Sequence, residues 1–164
     1  VSDLEVTGVD GLPEVTKGMA LGELIATHAE LEDGDVVVIS QKIVSKAEGQ
    51  ARHLSSVIPG AEARRLAAVL GKEPALVELI LEESKEVLRA ERNVLIVETR
   101  HGFVCANAGI DSSNLPDDDT VCLLPEDPDA SARRIRHEIV GEDPGVGGGG
   151  PKTGVGRRAP PPPP

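Results

Sequence analysis

The sequence predicts a mixed α/β domain: a Val/Ile-rich mixed sheet flanked by Ala/Leu-rich helices, with a Gly/Pro-rich tail behind it. Three observations lead there. Short β-branched runs alternate with longer stretches whose apolar residues recur at helical spacing. Gly and Pro fall between the two kinds of segment, where turns and caps are needed. Of the 164 residues 39% are apolar, yet only one is Phe and none is Tyr or Trp, so the core must be aliphatic.

Taken in order, residues 4–9 alternate weakly and predict a first strand ahead of a Gly-Leu-Pro turn. Residues 20–31 place Leu21, Leu24, Ile25 and Ala29 on one helical face. Glu32-Asp-Gly-Asp35 is a turn, and the β-branched run 36–39 predicts a buried strand. Ser40, Gln41 and Lys42 leave the carboxyl end of that strand, where open α/β sheets tend to bind ligands. Residues 61–70 predict a helix stopped by Gly71, and Pro74 suits the first turn of the next helix. That second helix is expected to carry Leu76, Leu79, Ile80, Glu83 and Val87 on one face, with Glu82, Glu83 and Glu86 as a solvated flank. Residues 94–97 and 121–124 predict strands, and 129–140 a helix with Asp129 as N-cap and arginines in its later turns.

Residues 1–140 therefore form the expected domain, and 141–164 an expected disordered tail whose Gly and Pro cannot bury a core. Within the tail, Gly145 to Thr153 superficially resembles a P-loop. Pro151 stands where the motif needs Gly before Lys-Thr, and it has no N–H to give a phosphate. Gly, Pro, Arg and Ala are the residues GC-rich codons produce, so a frameshift in a GC-rich gene would yield such a tail.

The net charge of −11 and the lack of aromatic stacking residues argue against nucleic acid as a partner. No apolar run approaches the roughly 20 residues of a membrane span, and the acidic start lacks the features of a signal peptide. The cytoplasm is the expected location. Cys105 and Cys122 read as buried small hydrophobes rather than a disulfide. His28, His53, His101 and His137 show no metal-ligand spacing, which argues against zinc, and no nucleophile elbow is present.

One stretch carries more chemistry than the rest: Cys105-Ala-Asn-Ala-Gly-Ile-Asp111-Ser-Ser-Asn114. Asp111 is a hard oxygen ligand of the kind Mg²⁺ or Mn²⁺ prefers, and Asn114 offers both a donor and an acceptor. Ala106, Ala108 and Gly109 would let backbone approach a ligand closely. By themselves these residues equally suit an ordinary turn. Three other segments accompany them: Gly11-Leu12-Pro13-Glu14-Val15, the stretch from Gly34 to Gly49 that ends in Val44-Ser-Lys46-Ala-Glu48-Gly49, and Leu123-Leu-Pro125-Glu-Asp-Pro128-Asp-Ala-Ser131.

In this order and spacing the four segments, running from about Glu5 to about Arg136, resemble the coenzyme F-420:L-glutamate ligase family. The resemblance implies GTP-dependent addition of L-glutamate to the deazaflavin coenzyme precursor through an acyl-phosphate. It implies GTP as co-substrate, a divalent metal (Mg or Mn), a monovalent cation as a further candidate cofactor, and a homodimer. Carried over residue by residue, Leu12, Pro13, Glu14 and Val15 match a nucleotide-contact segment, and Lys46 a GTP-binding lysine. Asp111 matches a divalent-metal ligand and Asn114 a GTP contact. Gln41 stands where the family commonly has Ser, and its carboxamide can still hydrogen-bond. No residue is assigned a catalytic role.

Asp117, Asp118 and Asp119 follow Pro116 and read as an exposed turn. The family's later Asp-Thr-x-Gly-Arg segment, a source of further metal ligands, is not found in this sequence. Weak GTP binding and little ligase activity are expected of this chain alone. The alternative is a non-catalytic nucleotide-binding module, or a subunit completed by a partner.

Overall fold

The structure, a computed structural model, describes residues 4–113 and 117–141. Among them, five α-helices and two antiparallel sheets form the predicted mixed α/β fold. The expected tail from residue 142 onward lies outside the described residues.

The chain enters through an unpaired segment before α1 (Leu21–His28). A second unpaired stretch leads to α2 (Gln41–Glu48), which ends at Gly49 in the left-handed conformation, φ 71°. Strand β1 (Ala51–His53) and a single 3₁₀ turn follow, then α3 (Ala61–Leu70) and α4 (Pro74–Glu82). Strands β2 (Ser84–Glu91), β3 (Val94–Thr99) and β4 (Val104–Ala106) form a three-stranded meander. Strand β5 (Thr120–Cys122) returns to pair with β1, and α5 (Pro128–Val140) closes the described fold.

Two aliphatic cores hold these elements. In the first, Leu66 and Leu70 of α3 and Val77 and Ile80 of α4 pack on Leu95 and Val97 of β3. In the second, Leu21 and Ile25 of α1, Val44 and Ala47 of α2 and Ile135 of α5 enclose Val15. Helices α1 and α5 touch at Gly22, where an added Cβ would lie 2.4 Å from the Ile135 carbonyl oxygen. There the Gly22 N–H donates to Glu138 Oε2 at 2.8 Å, so the contact is fixed by a hydrogen bond as well as by shape.

Four expectations need correction. The helix from Pro74 stops at Glu82, and residues 84–91 are strand β2 instead. Two register shifts in the β2–β3 ladder put the half-buried positions at Ser84, Val87 and Ala90, a spacing of three that imitates a helical face. Residues Arg92 and Asn93, at φ 51° and 64°, make the two-residue turn that joins β2 to β3. Residues 36–39 form no strand, and Val36 and Val38 are exposed; among the described residues no neighbouring strand meets them. Residues 4–9 likewise form no strand with any of the described residues. The N-cap of α5 is Asp127, whose Oδ1 accepts from Ala130 N at 2.8 Å, with Pro128 in the first turn.

Candidate functional site

Helix α2 organises the site. Ser40 precedes it in extended conformation, and Ile43, Val44 and Ala47 turn toward the second core. Packing that stripe inward sends Lys42 and Lys46, four residues apart, out along one common face. The helix is anchored from behind by Glu48, which accepts hydrogen bonds from Ser131 Oγ and, at 2.6 Å, from Arg134 Nη2 of α5. Glu48 of the Val-Ser-Lys-Ala-Glu-Gly string is thus a structural tie.

Each lysine is held by a carboxylate from a different part of the chain. Lys46 Nζ lies 2.6 Å from Glu14 Oε1, in the N-terminal segment. Lys42 Nζ lies 2.6 Å from Asp111 Oδ2 and also donates to Ser113 O at 2.8 Å and Ser113 Oγ at 2.7 Å. Gln41, half-buried, donates to Ser45 Oγ at 2.6 Å and to Leu123 O at 3.3 Å, tying the first turn of α2 to the segment after β5. The result is a row of alternating charge, Glu14–Lys46 and Lys42–Asp111, along one helix face.

Asp111 is fixed by its own backbone. It forms an isolated antiparallel bridge with Cys122, with N–H to carbonyl distances of 3.0 and 2.8 Å, at the end of β5. The Lys42 ammonium, then the Ser113 N–H at 2.8 Å, hold its carboxyl well below the ordinary 3.8, at about 2. It is therefore ionised at neutral pH.

The small residues before Asp111 serve the protein's own packing more than a ligand. Asn107, Ala108 and Gly109 are all left-handed, at φ 52°, 55° and 72°. This tight turn buries Ala108 in the first core and brings Gly109 so close to Leu124 that a Cβ would lie 2.9 Å from its Cδ2. The strain is set where the chain must swing from β4 back to the Asp111 bridge.

The predicted site residues separate into three groups. Glu14, Lys46, Gln41 and Asp111 gather about α2. Leu12 and Pro13 are exposed just before Glu14, whereas the Val15 side chain is buried in the second core, leaving only its backbone to meet a ligand. Asn114 lies outside the described residues. Lys42, which the sequence marks only as leaving a strand end, joins the site because helix α2 sets it one turn from Lys46.

As a metal ligand Asp111 is alone: among the described residues no cluster of three His, Cys, Asp or Glu side chains could hold an ion. A single carboxylate still fits Mg²⁺ or Mn²⁺ where phosphate oxygens and water complete the shell. The acidic run near it has other work. Asp119 accepts from Ser55 N at 3.0 Å and from Ser55 Oγ, and Asp117 from Thr120 Oγ1 at 2.7 Å, which pins the turn before β5. Cys122 is buried and Cys105 half-buried, both free, and burial pushes both thiols up. No helix among the described residues is long and apolar enough to cross a membrane.

Comparison with known proteins is decisive for the family. Residues 11–146, which include every element of the site, match the family described as F420-0:gamma-glutamyl ligase. The chain belongs to that family. Among its relatives, the coenzyme F420:L-glutamate ligase of Methanopyrus kandleri is 48% identical over 136 residues, 81% of this chain and 54% of the relative. The corresponding ligase of Methanothermobacter thermautotrophicus is 47% identical over 137 residues, 80% of this chain and 54% of the relative. That of Haloarcula marismortui is 43% identical over 152 residues, 87% and 58% respectively. The ligase-family chain described here thus spans somewhat more than half the length of these relatives. The family match also runs to residue 146, a little past the composition change at 140.

Proposed function

We propose that this chain carries the nucleotide-binding part of a γ-glutamyl ligase that adds L-glutamate to the deazaflavin coenzyme F-420-0 at the expense of GTP. The observation that supports it most is the pair of α2 lysines, Lys42 engaged by Asp111 and Lys46 by Glu14. Two ammonium groups one helical turn apart suit successive phosphates of a triphosphate. The carboxylates that hold them act as placeholders when no nucleotide is present. The Glu14 end is exposed, so its pair costs little to open.

The chemistry asked of the site follows. A carboxylate of the acceptor attacks the γ-phosphorus of GTP, giving an acyl-phosphate and GDP. The amine of glutamate then attacks the acyl carbon, forming the amide and releasing phosphate, with the amine proton passing to solvent or base. Phosphoryl transfer needs positioning and charge neutralisation above all. Lys42 and Lys46 would neutralise phosphate oxygens, and Gln41 would lend a carboxamide at the edge of the row. Asp111, ionised near neutrality, would hold the divalent metal once Lys42 turns to phosphate. A bound Mg²⁺ or Mn²⁺ supplies further neutralisation of the triphosphate. A homodimer and a cytoplasmic location complete the proposal.

The second reading is a non-catalytic nucleotide-binding module or a subunit completed by a partner. It is favoured by one observation, that the chain covers only 54% of the length of the Methanopyrus kandleri and Methanothermobacter thermautotrophicus relatives. Calorimetric titration with GTP and Mg²⁺, comparing the wild-type chain with Lys46→Met, tests the nucleotide site; glutamate addition assayed on the same sample separates the two readings. Binding that Lys46→Met weakens roughly tenfold or more is expected. Unchanged binding in the variant would remove the lysine row from the account.

A further inference from the structure

Helix α2 ends at Gly49, and two further cations converge on that end. Gly49 is left-handed, at φ 71°. The stem of Lys17 lies over it so closely that a Cβ added there would stand 2.6 Å from Lys17 Cδ and 2.7 Å from its Cε. The backbone of the same segment is fixed beside the helix, because Gly18 N donates to Ala47 O at 2.8 Å. Arg52 of β1 arrives at the same turn. Its Nη1 donates to Gly49 O at 3.3 Å and to Ala51 O at 3.0 Å, and its Nη2 to Gln50 Oε1 at 3.5 Å.

A helix C-terminus favours nearby cations by itself, but this one leaves part of the pair unused. Among the described residues the Lys17 ammonium has no acceptor. Arg52 spends three of its five N–H groups on the turn and keeps its Nε–H and one Nη2–H. The acids nearest in sequence are engaged elsewhere, Glu14 by Lys46 and Glu48 by Arg134. Gly49 lies three residues past Lys46, about 4.5 Å along the helix axis. The pair therefore sits just beyond the lysine row, and both side chains are exposed to a small solute.

We propose that Lys17 and Arg52 form the subsite for the carboxylates of the incoming amino-acid substrate and set its preference for a dicarboxylate such as L-glutamate. The inference rests on the ligase reading above and adds to it the residues that recognise the second substrate. Amide formation uses only the amine of that substrate. Both carboxylates stay ionised, and they must be neutralised by groups other than Lys42 and Lys46, which the triphosphate occupies. In a chain of net charge −11 a dianion needs local cations to approach at all. A guanidinium receives one carboxylate through two parallel N–H bonds, and an ammonium receives the other as a point charge. Glycine at position 49 leaves room for the Lys17 stem, which keeps the two cations at one turn.

The test is an amide NMR titration of the isotope-labelled chain with L-glutamate at constant ionic strength, with and without GTP and Mg²⁺. It is repeated with L-glutamine, which lacks the second carboxylate, and with acetate. The two cations and the turn between them all come from residues 17–52, so the chain itself is the sample. The account expects saturable shifts at Lys17, Gly49 and Arg52, and an affinity for L-glutamine lower by roughly tenfold. Lys17→Met and Arg52→Met, both at exposed positions, should each weaken L-glutamate roughly tenfold, whereas Lys17→Arg should hold it within about threefold. GTP-dependent shifts at residues 41–46 should persist in all three variants. Acetate or L-glutamine moving the same amides as strongly as L-glutamate would overturn the proposal, as would L-glutamate binding that survives both methionine substitutions. GTP-dependent shifts at 41–46 with none from L-glutamate at 17, 49 and 52 would overturn it while leaving the nucleotide reading intact.

Discussion

Replacing Lys42 by Met should separate the two halves of the charged row. Methionine keeps the length and packing of the stem and removes the ammonium. The loss comprises the 2.6 Å ion pair with Asp111 and the bonds of 2.8 and 2.7 Å to Ser113. A shielded hydrogen bond to a charged group contributes ~1.5–3 kcal/mol, and an exposed ion pair ~0–1. The Lys42 side chain is 16% exposed and that of Asp111 38%, so the site lies between these limits. Discounted for solvent screening, a loss of ~1–2 kcal/mol is expected, or roughly 3–6 °C in Tm for a domain of this size. Lys46→Met removes a single bond to a Glu14 side chain that is 79% exposed, and should cost about 1 °C or less. Differential scanning calorimetry of the two variants in parallel reads the contrast. Equal losses in both would refute the reasoning, because the structure gives Lys42 three acceptors and Lys46 one.

Because the Asp111 pKa is lowered to about 2 in the fold, its contribution is fully present above the ordinary value of 3.8 and is lost as pH falls toward 2. The stability gap between wild type and Asp111→Asn should therefore be constant above pH 5 and shrink between about pH 4 and 2, as followed by urea unfolding at each pH. Gly22→Ala should cost about 3 kcal/mol or more, since its Cβ would meet backbone of α5 at 2.4 Å and that backbone cannot rotate away. Gly109→Ala should cost less, ~1–2 kcal/mol, because the atom it meets is the end of the Leu124 side chain, though φ 72° remains unfavourable. Chemical denaturation orders the two variants.

Much of the fold was legible because local chemistry agreed with the final structure. Gly71, at φ 62°, ends α3 where the apolar period stops, and Pro74 opens α4. Sequence failed where a distant partner decides. Residues 84–91 are rich in helix formers, yet they pair with the Val-Leu-Ile-Val of β3, and the two register shifts disguise the alternation. Residues 36–39 have strand composition and no strand beside them among the described residues, which composition cannot reveal. Helix α2 was readable in hindsight, from the apolar Ile43, Val44 and Ala47 and the terminating Gly49. Placing it would have added Lys42 to the site through its four-residue spacing from Lys46. The pairing of Lys46 with Glu14, 32 residues away in sequence, and of Lys42 with Asp111, still farther off, depends on tertiary structure alone.

In the proposed function the α2 lysine row and the Asp111 turn together bind one metal–nucleotide complex. The most direct measurement is the amide NMR spectrum of the labelled chain during titration with GTP and Mn²⁺, whose paramagnetism broadens nearby signals. The account predicts the strongest broadening at Asp111, Ser112 and Ser113, with nucleotide-dependent shifts at residues 41–46. Broadening centred instead on the acidic stretch 32–35, or nucleotide shifts that spare α2 at saturating concentration, would contradict it.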